Sequence, residues 1–213
     1  MPGWDLDVLG DDGNPVTPGD IGTLVVKLPL PPGSFPTLWN ARERFFDAYL
    51  SQFDGYYNTS DAGMIDDDGY VYVMSRTDDI INVAGHRLST GAMEEVLADH
   101  ADVAECAVTG VLDALKGQAP LGFLVLNDGC DRPSEEICAE VVQMVRDRIG
   151  PVAAFKQAVV VRRLPKTRSG KILRGVMRKI ADGGDWQMPA TIDDPEVLEE
   201  ITESLNSIGY PAS

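Results

Sequence analysis

Leu164-Pro165-Lys166-Thr167-Arg168-Ser169-Gly170-Lys171-Ile172-Leu173-Arg174 is the stretch on which the reading of this 213-residue chain turns. Arg162, Arg163, Lys166, Arg168, Lys171, Arg174, Arg178 and Lys179 place eight cations between positions 162 and 181, with no Asp or Glu among them. The chain as a whole has 18 Lys+Arg against 34 Asp+Glu. Such an island repels itself, which points to an anionic partner. Ser169-Gly170 supplies a tight turn at little steric cost and would hold Lys171 at a loop tip. A lysine there is a compact charge with three donors on a flexible stem, suited to a phosphate that moves during reaction. The same charges also read as the solvated start of a basic helix. The tripeptide Ser-Gly-Lys is not a P-loop, because the upstream Gly is missing and Ile172 occupies the Ser/Thr position.

Composition bounds the rest. Hydrophobic residues make up 44% and charged residues 24%, ordinary for one or two globular domains. A net charge of -16 argues against nucleic acid and anionic membrane as general partners. Cys106, Cys130 and Cys138 are odd in number and lack C-x-x-C spacing, so they read as reduced thiols of a cytoplasmic protein. Only His86 and His100 are present, which excludes a His-rich metal centre, and neither has a nucleophile elbow to serve. No apolar run has the length of a membrane span, and no signal peptide opens the chain.

Taken in order, residues 4–9 and 22–28 read as strands separated by a turn at Asp11-Asp12-Gly13-Asn14-Pro15. A proline-rich irregular segment follows, then a short helix over 41–50 with Phe45, Phe46, Tyr49 and Leu50 at helical spacing. Two more strands flank Asp67-Asp68-Gly69. Beyond residue 88 the pattern predicts helix from Ser89, strands at 103–108 and 122–126, and a helix capped by Ser134. A strand at 158–161 and a helix over 172–181 complete it. This order predicts helices over a three-stranded sheet. From Asp182 onward stand eight acidic residues and no Lys or Arg, read as a loosely held, partly helical acidic tail.

Pro-Lys-Thr-Arg-Ser-Gly-Lys-Ile at 165–172 resembles the C-terminal catalytic signature of acyl-CoA synthetases in the adenylate-forming (AMP-binding) superfamily. Ser75-Arg76-Thr77-Asp78-Asp79-Ile80-Ile81-Asn82-Val83-Ala84-Gly85-His86-Arg87-Leu88 resembles that family's hinge motif, and Thr59-Ser60-Asp61 resembles its T-G-D. Ser60 and Ser75 stand where the motifs have Gly, a modest strain wherever φ is positive. Asn82 to Leu88, Lys116-Gly117-Gln118 and Ile149 to Phe155 resemble short-chain synthetases of the acetyl and propionyl type, with propionyl favoured.

The resemblance implies an α+β fold. Residues 1–77 would be the β-rich end of a large N-terminal domain, 78–185 a small C-terminal domain with a three-stranded sheet, and 186–213 the acidic tail. It implies an acid–thiol ligase that activates propionate or acetate with ATP and Mg2+ and transfers the acyl group to coenzyme A. Lys171 would catalyse adenylation and Asp78 would be the hinge. Asp61 and Arg76 would hold the AMP ribose, and Arg87 the phosphates. Ala84 and Gly85 would line the pantetheine passage, and Arg146 would meet the CoA nucleotide, which disfavours a carrier-protein acceptor. The backbone carbonyls of Ala98, His100 and Val103 would form a cation site. Read from the residues alone, Asp61 is equally a turn residue and His100 a helix-end cap. The matching family lysine is a target of acylation, so acylating and deacylating enzymes would be partners of Lys171. The remaining large domain would be a further partner, since the family's phosphate loop and acyl pocket have no counterpart in the chain, which is expected to be inactive by itself. A mitochondrial location is open if a transit peptide lies upstream. The competing reading is a free-standing nucleotide- or CoA-binding module without turnover.

Overall fold

In the computed structural model, which describes residues 3–211, the chain divides into two compact units, 1–78 and 79–213. A 3-10 turn, Thr77–Asp79, spans the boundary.

The first unit is a four-stranded antiparallel sheet of β1 (Leu6–Leu9), β2 (Gly22–Lys27), β3 (Tyr56–Ile65) and β4 (Val71–Arg76), in that order. Leu9, Val25 and Phe53 form its buried centre. Helix α1 (Arg42–Tyr49) presents Phe45 and Tyr49 to an aromatic cluster with Phe35 and Tyr57. Phe46, expected on the same face, is 54% exposed, because the one-residue step turns it 100° away from Phe45. Strand β4 exposes Val71, Tyr72, Val73 and Met74, so it carries little of the unit's core.

The second unit has the expected α+β character, with a sheet of five strands instead of three. These are β5 (Ile80–Val83), β6 (His86–Ser89), β7 (Val103–Asp113), β8 (Gly117–Leu126) and β9 (Gln157–Val160). The β5–β6 hairpin, read from sequence as part of the hinge motif, joins the sheet through Val83 opposite Gly117. Strand β8 pairs antiparallel with β7 and parallel with β9.

Both faces of this sheet are covered. Met93 and Leu97 of α2 (Thr90–Ala98) and Ile137, Val141 and Val145 of α3 (Ser134–Arg148) pack on Val108, Leu124 and Ala158. On the other face, Met177 and Ile180 of α4 (Arg174–Ala181) and Val197, Leu198, Ile201 and Leu205 of α5 (Val197–Ser207) pack on Ala107, Val111, Leu121, Phe123 and Val159. The nearly unbroken apolar runs of β7 and β8 are what a sheet buried on two sides requires. Residues 186–211 are therefore no loose tail. Its carboxylates stand on the outside of a helix whose apolar stripe is fully buried.

Ser89 caps α2, its Oγ accepting the Ala92 N–H. Ser134 does not cap α3. Pro133 holds that position, with an extended ψ of 129°, and Ser134 is the first helical residue. Glu135 and Glu136 in the first turn and Arg146 and Arg148 in the last match the helix dipole. Among the described residues, no helix is long and apolar enough to cross a membrane.

Candidate active site

In the first unit, the register of β2 against β3 jumps from Leu24 opposite Asp61 to Val25 opposite Asn58. Thr59 and Ser60 are thus extruded as a bulge, a device that re-aims the next side chain. Three hydrogen bonds fix it. The Ser60 N–H donates to Asn58 Oδ1 at 2.7 Å, Thr59 Oγ1 donates to the Leu24 carbonyl at 2.7 Å, and the Asp61 N–H donates to Thr59 Oγ1 at 3.1 Å. Ser60 has φ 61°, so the Gly-to-Ser departure falls on a left-handed position, while Ser75 is not left-handed. Asp61 stands directly opposite Arg76 on β4, with Asp61 Oδ1 and Arg76 Nε 4.0 Å apart. The two residues expected at the ribose are brought together. At 37% exposure the carboxylate stays open to a ligand with vicinal hydroxyls.

In the second unit, the basic stretch forms a small hairpin. Lys166 bridges Ile172, the Thr167 N–H donates to the Lys171 carbonyl at 2.8 Å, and the Gly170 N–H donates to the Thr167 carbonyl at 2.8 Å. Gly170 takes φ 83°, the left-handed position of a three-residue loop. The tip is Arg168-Ser169, and Lys171 is the first residue past the loop, one place from the expected tip. Its N–H donates to Thr167 Oγ1 at 3.1 Å and the residue is exposed.

The cationic island separates into two sets. Arg163 pairs with Asp194 and Glu200, Lys166 with Glu105, Arg174 with Glu94 and Asp79, and Arg178 with Asp182. Arg162, Arg168, Lys171 and Lys179 are exposed and make no ion pair among the described residues. The Arg174–Glu94 pair is the most enclosed of the island's pairs, and it joins the start of α4 to α2. Sequence reading counted Arg174 as a cation and missed the acceptor, 80 residues away. Burial and the Glu94 carboxylate also push the nearby Cys106 thiol up to about 11, which keeps it protonated at neutral pH.

Ala84 and Gly85 are the two central residues of the β5–β6 turn, at φ 50° and 88°. This is the primed turn that two-residue hairpins favour. Asn82 Oδ1 accepts the Gly85 N–H at 3.0 Å, and the Ala84 N–H donates to the Lys116 carbonyl at 2.9 Å. Both turn residues are exposed, and nothing lies within 4 Å of where a Gly85 Cβ would stand. Arg87 faces Asn82 across the hairpin and is half-buried.

Lys116 also lines a cavity of about 300 Å³ with Arg146, Lys156, Gln143 and Phe155, and no acidic residue borders it. Arg146, expected at a nucleotide, therefore has two cationic neighbours in the lining that sequence reading did not assign. Lys116 was legible only as part of Lys-Gly-Gln, and Lys156 carried no signal.

The side chain of Asp78 lies outside the described residues; its backbone belongs to the turn at the unit boundary. Ala98 ends α2, and the His100 carbonyl accepts the Val103 N–H at 3.1 Å, leaving one lone pair for a cation. The register of β7 shifts immediately after Val103. Among the described residues no group of His, Cys, Asp and Glu side chains could hold a metal, so this carbonyl set rests on backbone oxygen alone, the ligand type hard cations take. The His100 ring is occupied elsewhere, with Nδ1 accepting the Asp102 N–H at 3.2 Å and Nε2 2.8 Å from Glu140. Arg132 joins Asp102 and Glu140, and together with His100 it holds the Glu140 carboxyl at about 2, below its ordinary 4.5.

The chain is 55% identical over 205 residues to an uncharacterised protein of Pseudomonas aeruginosa, covering 96% of this chain and 33% of that protein. It is 48% identical over 205 residues to the human mitochondrial acyl-CoA synthetase short-chain family member 3, covering 96% of this chain and 30% of that protein. The chain thus spans about a third of the length of the curated relatives it matches. The acetoacetyl-CoA synthetase of Streptomyces lividans shares the fold, with TM-score 0.77 at 21% identity, over 96% of this chain and 31% of that one. Residues 92–171 match the AMP-binding enzyme C-terminal domain, so the second unit carries that domain.

Proposed function

We propose that this chain is the part of an ATP-dependent short-chain acyl-CoA synthetase that supplies the adenylation lysine and the coenzyme A passage, with propionate or acetate as the acid. The observation that carries the reading is Lys171. It stands exposed and, among the described residues, without an ion pair at the end of a fixed hairpin, while four other cations of its island are neutralised from within. Asp61 and Arg76, facing one another on β3 and β4, support a nucleotide held by its ribose.

In the proposed first step, a carboxylate oxygen of the acid attacks the α-phosphorus of ATP. The bond to the β-phosphate oxygen breaks, and pyrophosphate leaves. Lys171 places its charge against the oxygens that become more negative, and Arg87 adds to it. Mg2+ accompanies the nucleotide, and the Ala98, His100 and Val103 carbonyls are where a further hard cation would find oxygen ligands. In the second step, the small domain turns about Asp78 and withdraws Lys171. The Ala84-Gly85 turn then borders the passage through which the CoA sulfur reaches the acyl carbon, and AMP leaves. Lys116, Arg146 and Lys156 would face the phosphates of the CoA nucleotide. Moving one lysine in and out of a site is a reason to carry it on a separate unit. Acylation of Lys171 would remove its charge and stop the first step.

The test separates the half-reactions in the full-length synthetase. Lys171→Ala should slow acyl-AMP formation about 10² to 10³-fold, roughly 3–4 kcal/mol, by comparison with other preorganised charge stabilisers. Thioester formation from supplied acyl-AMP should be spared. Equal loss in both halves would end the two-state assignment, in which Lys171 serves adenylation and is withdrawn for thioester formation.

A further inference from the structure

The hairpin that bears Lys171 is too small to stand alone, since a lone two-stranded hairpin is marginal in water and its outer edge leaves backbone groups unpaired. That edge is taken up by a piece of chain twenty residues later. The Arg168 N–H donates to the Thr191 carbonyl at 3.0 Å, the Asp193 N–H donates to the Lys166 carbonyl at 2.9 Å, and Thr167 bridges Ile192. Residues 191–193 thus add a third short strand beside the loop.

This added strand is anchored from both sides. Ile192 is 5% exposed and packs in the core with Leu164, Val197, Leu198 and Ile201. Asp194 accepts from Arg163 Nη1 and, through Oδ1, from the Glu196 N–H at 3.0 Å. Glu200, one turn into α5, accepts from Arg163 Nη2 at 2.9 Å. Arg163 therefore ties the end of the strap and the start of α5 to the segment that leads into the hairpin. None of these contacts involves the Lys171 side chain. They hold the 166–168 strand, to which the Lys171 backbone is tied by the Thr167 N–H on its carbonyl.

We infer that Thr191–Asp193, locked by Arg163, is the positioning device for Lys171. Displacing a reacting group by about 1 Å can cost roughly 10²-fold in rate, so a device that fixes the base of this lysine has kinetic consequences. The inference rests on the reading of Lys171 given above, and the experiment keeps the two apart.

Asp193→Pro deletes the N–H that bonds the Lys166 carbonyl and keeps Ile192 extended. Asp193→Ala keeps the N–H and serves as its control. Amide exchange is followed at Arg168 in the 213-residue chain, and the two half-reactions in the full-length synthetase. Asp193→Pro is expected to speed exchange at Arg168 at least about tenfold, because the amide loses protection when the strap lifts. It is expected to slow acyl-AMP formation about 10- to 100-fold and to leave thioester formation from supplied acyl-AMP within about twofold. Arg163→Met should do the same more weakly, and Asp193→Ala should match the wild type. Unchanged exchange at Arg168 in Asp193→Pro overturns the strap, whatever the chemistry of Lys171. Proportional loss of both half-reactions overturns it as well, since a part that only holds the fold together would act on both. If Lys171→Ala itself adenylates normally, the reading of Lys171 falls and the positioning role falls with it.

Discussion

Arg174 is the residue whose removal should most weaken the second unit without touching its apolar core. Its Nε and Nη2 donate to Glu94 Oε1 at 3.0 and 2.9 Å, Nη2 also reaches Oε2 at 2.8 Å, and Nη1 lies 4.0 Å from Asp79. The two side chains are 23% and 18% exposed, between a surface pair and a buried one. Arg174→Met keeps most of the stem but, among the described residues, leaves the Glu94 carboxylate with only the Val108 N–H, at 2.8 Å. Breaking a fully buried pair costs about 3–5 kcal/mol and losing a charged hydrogen bond about 1.5–3, so partial exposure places the loss at about 2–3 kcal/mol. For a unit of this size that is roughly 6–12 °C in melting temperature. Scanning calorimetry of the 213-residue chain reads it as the transition of the helix-rich unit. Arg174→Lys should recover less than half, because an ammonium cannot make the bidentate contact. The double variant with Glu94→Gln should recover about 1–2 kcal/mol relative to the sum of the single losses. A loss under about 0.5 kcal/mol for Arg174→Met, or strict additivity with Glu94→Gln, would refute the reasoning.

Two further outcomes follow from local geometry. Ser60→Gly should stabilise the first unit by about 0.5–1 kcal/mol, the left-handed strain relieved less the entropy glycine adds to the unfolded chain. A denaturant midpoint below wild type would show that the bulge has another requirement at this position. Glu140 titrates at about 2 in the folded chain, chiefly because of Arg132 and next because of His100, against 4.5 ordinarily. Its contribution to stability is therefore present above pH 4.5 and lost as the pH falls toward 2. Arg132→Met should make the acid limb of a melting-temperature profile shallower between those values, and an unchanged slope would show that the pair does not respond as placed. Asp102 and Glu136 share the same guanidinium, so Arg132 is the better position to change than any one carboxylate.

Most of the elements were legible because periodicity reports burial. The apolar run of β2, the apolar faces of α2 and α3, and the turns at Asp67-Asp68-Gly69 and Ser169-Gly170 all follow local rules that the folded chain obeys. Misreadings came where a long-range partner decides. That the β5–β6 hairpin joins the sheet was not legible, because it rests on one pairing of β5 with β8, Val83 opposite Gly117, distant in sequence and unremarkable in type. Pro133 took the cap position from Ser134 because a fixed φ and an extended ψ suit it there. At the candidate site, Asp61, Arg76, Gly85 and Lys171 were legible from their motifs. Lys156 and Glu94 were not, and Lys116 was only as part of Lys-Gly-Gln, since what matters about them is which side of the sheet the topology brings them to.

The acidic tail shows how a correct charge count can hide a structural role. Eight acids with no base between 182 and 211 looked like a solvated extension, and eight cations with no acid between 162 and 181 looked like a site in search of a partner. Folding brings part of one to the other. Asp182, Asp194 and Glu200 neutralise Arg178 and Arg163, while Glu105 and Glu94 take Lys166 and Arg174. Self-repulsion is thereby relieved where the chain needs order, and the apolar stripe of α5 supplies what surface ion pairs alone would not. The cations with no ion pair among the described residues are Arg162, Arg168, Lys171 and Lys179, and two of them, Arg168 and Lys171, sit on the hairpin whose 166–168 edge is held by residues 191–193. An anionic ligand is thus not needed to explain the whole island. It is needed only for this exposed remainder, which narrows the search for the site from eight residues to four, with Arg168 and Lys171 flanking Ser169-Gly170.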